Sequence, residues 1–241
     1  MRYRGGIFLI FIVTFAIFKC SETTNNSGIK PGSVQFVSRS SDTAPYEKGI
    51  DAIPESDAIY IEWRSSEDPT VTGYHLYRSN KEGSVFQLIG QTNAPDDTSW
   101  IDESVGLSMR YYYYIVSVNE DDTESAPSDT IDYLLLDKVT YLNPNGIISE
   151  SNPSLKWAEP SIVPKGYIVK VKEKDEESFI WIYSLDQTEI DYGGHQSIEY
   201  NKDGKALIQS LQKGKSYQWR IDKQGGSNSG SESHWANITI Q

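Results

Sequence analysis

The chain has 241 residues, 37% of them hydrophobic and 12% aromatic, which is enough for one large core or two of about 100 residues each. Its formal charge is −12, and a body this acidic repels nucleic acid and anionic lipid headgroups. The single cysteine, Cys20, excludes an intramolecular disulfide, so the fold must rest on its core.

At the N-terminus Arg2 and Arg4 precede the unbroken apolar run Ile7 to Phe18, followed by Lys19 and Cys20. Twelve apolar residues are short of the ~20 that cross a bilayer and suit the core of an export signal. Cys20, placed where the apolar run gives way to the polar SETTNNSGIKPGS, resembles the lipidation site of a bacterial lipoprotein. Phe18 and Lys19 depart from the small residues such signals favour, and the alternatives are an ordinary secretory signal cut near Thr14 to Ala16 or an uncleaved short anchor, either leaving Cys20 incidental. Residues 1–20 are therefore read as a signal segment and 21–33, rich in Ser, Thr, Asn and Gly, as a tether. The expected location is the cell envelope, held by a lipid on Cys20, or else secretion.

From residue 34 onward short alternating segments are separated by turn residues, and no window shows a persuasive amphipathic helix, so the class is all-β. In AIYIEW one face carries Ile59, Ile61 and Trp63; GYHLYRS places Tyr74 and Leu76 together. FQLIGQT and TSWIDESV follow, then RYYYYIVSVN, in which Tyr111 and Tyr113 face one way and Tyr112 and Tyr114 the other. The second half repeats the order: PSLKW, GYIVKVK, FIWIY, ALIQSL, SYQWRI and WANITI. Trp63 precedes Tyr74 as Trp157 precedes Tyr167, and VGLSMRY and LQKGKSY each set an apolar residue six before a strand-opening tyrosine, Tyr111 or Tyr217. Charge divides the halves: residues 31–136 hold 6 basic and 19 acidic residues, and 137–241 hold 12 and 14.

These residues resemble the fibronectin type III domain, a seven-stranded immunoglobulin-like β-sandwich. The resemblance implies two such domains in tandem, over 34–136 and 137–241, with Trp63, Tyr74, Tyr111, Trp157, Tyr167 and Tyr217 as structural core. It makes LQKGKSY and VGLSMRY tyrosine corners, with Lys213 at the proline position and Ser108 at the glycine position. It implies binding or spacing as the role.

The histidines, His75, His195 and His234, lack metal-ligand spacing and accompany no nucleophile motif. The acidic loops Asn93 to Asp97 and Asn119 to Ser125 lack calcium-loop spacing. No enzyme activity, metal or cofactor is expected. The expected function is protein–protein interaction or adhesion, with an envelope or extracellular protein as partner. The alternative is glycan binding through aromatics of the second half: Trp181, Tyr183, Tyr192, His195 and Trp235. Tyr112 and Tyr114 are further candidate ligand residues, set against the ordinary role of aromatics in covering a sheet.

Overall fold

The computed structural model describes residues 28–159, 164–185, 188–190 and 195–241, so Cys20, Tyr192 and the signal segment lie outside the described residues. The described chain is all-β. The first half carries β1 (Asp51–Ala52), β2 (Ile59–Glu62), β3 (Val71–Ser79), β4 (Gln87–Thr92), β5 (Ser99–Asp102), β6 (Met109–Asn119) and β7 (Ile131–Leu135). The second carries β8 (Thr140–Asn143), β9 (Gly146–Ile148), β10 (Ser154–Ala158), β11 (Gly166–Glu173), β12 (Phe179–Leu185), β13 (His195–Glu199), β14 (Ser216–Gln224), β15 (Ser229–Glu232) and β16 (Ala236–Ile240).

Each half is a sandwich. In the first, the sheet β1-β2-β5 packs on β7-β6-β3-β4; in the second, β13-β10-β8 packs on β12-β11-β14 with β16 and β9 beyond. Period-2 alternation builds both cores. Ile59, Ile61, Trp63, Tyr74, Leu76, Tyr113 and Ile115 are buried together in one, and Leu155, Trp157, Tyr167, Val169, Tyr217, Trp219 and Ile238 in the other. The same edge-on aromatic pair sits at the centre of each: Trp63 on Tyr74 at 5.6 Å and 68°, Trp157 on Tyr167 at 5.3 Å and 73°.

The tyrosine corners also repeat. Gly106 N–H donates to the Tyr111 hydroxyl at 2.8 Å, and Gln212 N–H to the Tyr217 hydroxyl at 2.9 Å. Three residues before each tyrosine the backbone turns left-handed, at Ser108 (φ 59°) and Gly214 (φ 81°). Ser108 takes up a conformation that glycine adopts without strain.

Three segments differ from the alternation pattern. ALIQSL is a series of bends between β13 and β14, in which Ala206 and Leu211 reach the core without strand pairing. The stretch LLLDKVTYLN at the boundary between the halves contains the end of β7 and all of β8, leaving only residues 136–139 between strands. A bulge between Val171 and Lys172 shifts the β11–β12 register, so that Trp181 opposes Val171 but Phe179 opposes Lys172. Strict alternation would align Phe179 with Trp181; the bulge turns Phe179 to the outer face.

The two sandwiches share a sheet. Strand β14 pairs with β16 over Ser216–Trp219 and with β15 over Asp222–Gln224, because the last strand breaks at residues 233–235. Across that break Ser233 bonds Ile221 in both directions, its N–H to the Ile221 carbonyl and its hydroxyl receiving the Ile221 N–H. The detached piece, β15, then runs parallel to β7 of the first sandwich, with Leu134 N–H donating to Asn228 O and Leu136 N–H to Gly230 O, both at 2.9 Å. One ten-stranded sheet thereby crosses the junction.

Candidate functional site: the domain junction and its cleft

The outer face of the second sandwich is built from alternate residues of β11, β14 and β15. Lys170 lies directly opposite Arg220, and Asp222 directly opposite Glu232. Two like-charged pairs side by side on a sheet repel within each pair and attract across the diagonal. On a lone domain this face would be solvated. Here Lys170 is fully buried and Arg220 is 3% exposed.

What covers them comes from the first sandwich. Residues 40–48 form a strap whose ends meet, Ser40 N–H donating to Lys48 O at 3.1 Å. The strap inserts Glu47 between the two cations: its Oε1 accepts from Lys170 and, at 2.5 Å, from Arg220. Asp222 contacts Lys170 at 2.6 Å and Arg220 Nε at 2.8 Å, and Glu232 contacts Arg220 at 2.8 Å. Gly49, at φ 81°, closes the strap where a Cβ would lie 2.7 Å from Val37 O. Further bonds flank the cluster. Gln224 donates to Asp42 at 3.0 Å, Lys223 bridges Asp137 (2.7 Å) and Glu159 (2.8 Å), and Lys138 Nζ donates to the carbonyls of Ile53 and Glu232 at 2.6 Å each.

The charges respond to this setting in opposite directions. Burial works against the ionised Glu47, but Arg220 and Lys170 outweigh it and lower the carboxyl to about 2. Glu232 is pushed well above the ordinary range, first by burial and then by Asp222, against the pull of Arg220. Glu47, Asp222 and Glu232 bring oxygens within 4.8 Å of one another, a spacing that would suit a metal ion. Lys170 and Arg220 already occupy the space a cation would fill, so the arrangement is an ion-pair cluster.

Beside the cluster lies a cleft of about 360 Å³ between the sandwiches. Tyr46 and Tyr60 line it from the first, Phe179 and Trp235 from the second. Phe179 and Trp235 stack at 6.4 Å and 22°. Arg220 lies 4.8 Å from the centre of the Trp235 ring and Lys172 5.0 Å from it, positions that attract a cation to an aromatic face. Trp235 reaches the cleft because it occupies the break between β15 and β16.

The ligand residues expected from sequence are not gathered into one site. Trp181 is 2% exposed in the second core, its indole N–H donating to Asp203 at 2.9 Å, so it has no face free for a sugar. Tyr183 stacks on Trp181 at 5.5 Å at the rim of that core and donates its hydroxyl to Glu189. Tyr114 stacks on Tyr77 at 4.7 Å and meets Phe86 at 4.8 Å, so its ring is used in covering the outer face of the first sandwich. Tyr112 is half-buried on that same face, opposite Ser79 and Asp132. Trp235 alone of these five lines the cleft.

His195 is exposed on β13 and His234 is exposed beside the cleft tryptophan. His75 is half-buried and held between Glu124 (2.8 Å) and Gln91 (3.0 Å). The acidic loop at Asn119 is closed by its own side chain, which accepts from the N–H groups of Asp121 and Thr123. Tyr46, Tyr60, Phe179 and the ion cluster carry no signal in the sequence beyond alternating charge on β11 and β14.

No family model matches the chain. An amylopullulanase of Thermoanaerobacterium saccharolyticum is 30% identical over 119 residues, 46% of this chain, and the match spans 9% of that enzyme's length. Among solved structures, a fibronectin type III-like protein of Clostridium thermocellum aligns with 47% of this chain and all of its own, at 18% identity and a TM-score of 0.34. The FN1–FN3 domains of chicken CNTN1 align with 88% of this chain and 68% of their own, at 17% identity and a TM-score of 0.32. A two-domain fibronectin type III segment of chicken tenascin covers 79% of this chain and 95% of its own, at 16% and 0.28.

Proposed function

We propose that the chain is a non-catalytic, membrane-anchored cell-envelope protein whose two sandwiches act as one rigid arm in protein–protein interaction or adhesion. The observation that carries this reading is the junction. A shared sheet through β7 and β15 and a strap ending in Glu47 hold the sandwiches together at several points, whereas tandem domains joined by a linker alone move independently by default. A stiff arm loses little conformational freedom when it binds, which favours a defined partner. The test is cross-linking on intact cells with mass spectrometry of the captured species, against a Cys20→Ala control. A single protein partner lost in the control supports the reading; capture of none removes it.

A second reading, glycan binding in the cleft, is favoured by its four aromatic residues and by the partial likeness to an enzyme that is by name an amylopullulanase. Lys48, Glu55, Lys172 and Glu177 line the cleft without an ion pair among the described residues, and their charges cancel, which suits a neutral sugar. Binding of the full chain to an array of neutral oligosaccharides, lost in Trp235→Ala and retained in Tyr112→Ala, supports it. Equal binding by both variants refutes the cleft as the site.

A further inference from the structure

The cluster at the junction does not balance if every group is ionised. Three carboxyls, Glu47, Asp222 and Glu232, face two cations, Lys170 and Arg220, and all of them but Glu47, at the cleft edge, are buried. Glu47 arrives from the strap, Lys170 from β11, Arg220 and Asp222 from β14, and Glu232 from β15. The surrounding charges do not supply the missing positive charge. Arg39 is taken by Asp42 and Asp51, and Asp51 also accepts from the Tyr133 hydroxyl. Lys223 is taken by Asp137 and Glu159. Lys138 meets Glu232 through its backbone carbonyl, not its carboxyl. An unbalanced buried charge is costly, and the ordinary remedy is a proton.

The contacts select which carboxyl takes it. Glu47 touches both cations, and Asp222 touches both. Glu232 touches Arg220 alone, has the least exposed side chain of the three, and stands directly across β14–β15 from Asp222. We propose that Glu232 holds a proton at neutral pH, making the five-group cluster neutral, and that losing this proton in alkaline solution loosens the two sandwiches from each other.

The direction of the pH dependence follows. A carboxyl that keeps its proton in the folded state but not in the unfolded one favours folding less as pH rises above the ordinary carboxylate value and through its own raised value. Glu47, lowered to about 2, acts oppositely and only in acid. Among the cluster's carboxyls, the loss on the alkaline side therefore belongs to Glu232; Lys138, lowered by burial and bridging Ile53 to Glu232, also loses its proton in alkali, and Glu232→Gln separates the two, whatever the arm binds.

The experiment is a carbon-13 NMR titration of glutamate carboxyls in the full chain in detergent micelles. One resonance is expected to titrate well above the rest and to vanish in Glu232→Gln. Titration of every glutamate within the ordinary range overturns the proposal, and the wild-type titration decides this even if the variant fails to fold. The opening is read from spin labels at Lys81→Cys and Lys213→Cys in a Cys20→Ser background. The distance distribution is expected to be narrow in mildly acidic buffer and broader in alkali, and to stay narrow in both when Glu232→Gln is added. A distribution that does not change with pH overturns the switch.

Discussion

Replacing Glu47 by Gln tests whether the strap joins the two sandwiches or merely lies on them. The change keeps the shape of the side chain and removes its charge, leaving Lys170 and Arg220 to share Asp222 and Glu232. Two routes give the magnitude. A carboxyl lowered from 4.5 to about 2 contributes about 3 kcal/mol to folding at neutral pH. Removing one member of a buried ion pair costs about 3–5 kcal/mol, and the 25% exposure of the Glu47 side chain places the figure at or below the low end. The expected loss is about 2–3 kcal/mol. Urea unfolding of the full chain at neutral pH is the assay, followed by fluorescence of the six tryptophans. A single wild-type transition is expected to divide in the variant, as the sandwiches unfold separately. The sign with pH is fixed: Glu47 is depressed, so its contribution is present above about 4.5 and disappears as pH falls through about 2, where wild type and variant should converge. A loss below about 0.5 kcal/mol at neutral pH, typical of an exposed pair, would show that the strap is not a joint.

Gly230→Ala should open the β7–β15 pairing at a cost of about 1–3 kcal/mol, because its Cβ would lie 2.8 Å from Lys223 O and 3.1 Å from the Tyr133 hydroxyl; hydrogen exchange at Leu134 and Leu136 should rise before exchange in either core. Tyr217→Phe should cost about 1 kcal/mol in thermal unfolding by leaving Gln212 N–H without its acceptor, and the same loss is expected for Tyr111→Phe at Gly106. Trp157→Ala should cost about 3–5 kcal/mol, since the ring is 1% exposed and packed on Tyr167; calorimetry would show the second sandwich melting first.

Much of each sandwich is legible in the chain because its determinants are local. Alternation places Ile59, Ile61 and Trp63 on one face whatever lies beyond the strand, and the Tyr111 and Tyr217 hydroxyls bond backbone only five residues away. Where a local rule is broken by a distant partner, the reading fails. Trp181 and Phe179 look alike in sequence, but a bulge against β11 buries one and exposes the other to the cleft. Trp235 reaches the cleft because the last strand breaks, and its first piece, β15, pairs both with β14 and with β7, about 95 residues earlier in the chain.

The all-β class, the two repeats and their aromatic centres follow from the sequence by itself, since period 2 and short-range spacing act within a strand or a turn. The relation between the halves was decided only by tertiary structure. Strand register sets Lys170, Arg220, Asp222 and Glu232 on the face away from the core, which a lone domain would leave in water. They become a buried cluster because Glu47, 123 residues from Lys170 and 173 from Arg220, is carried over them by the strap. Charge balance among five groups from four segments is a property of their meeting, and no one of those segments contains it.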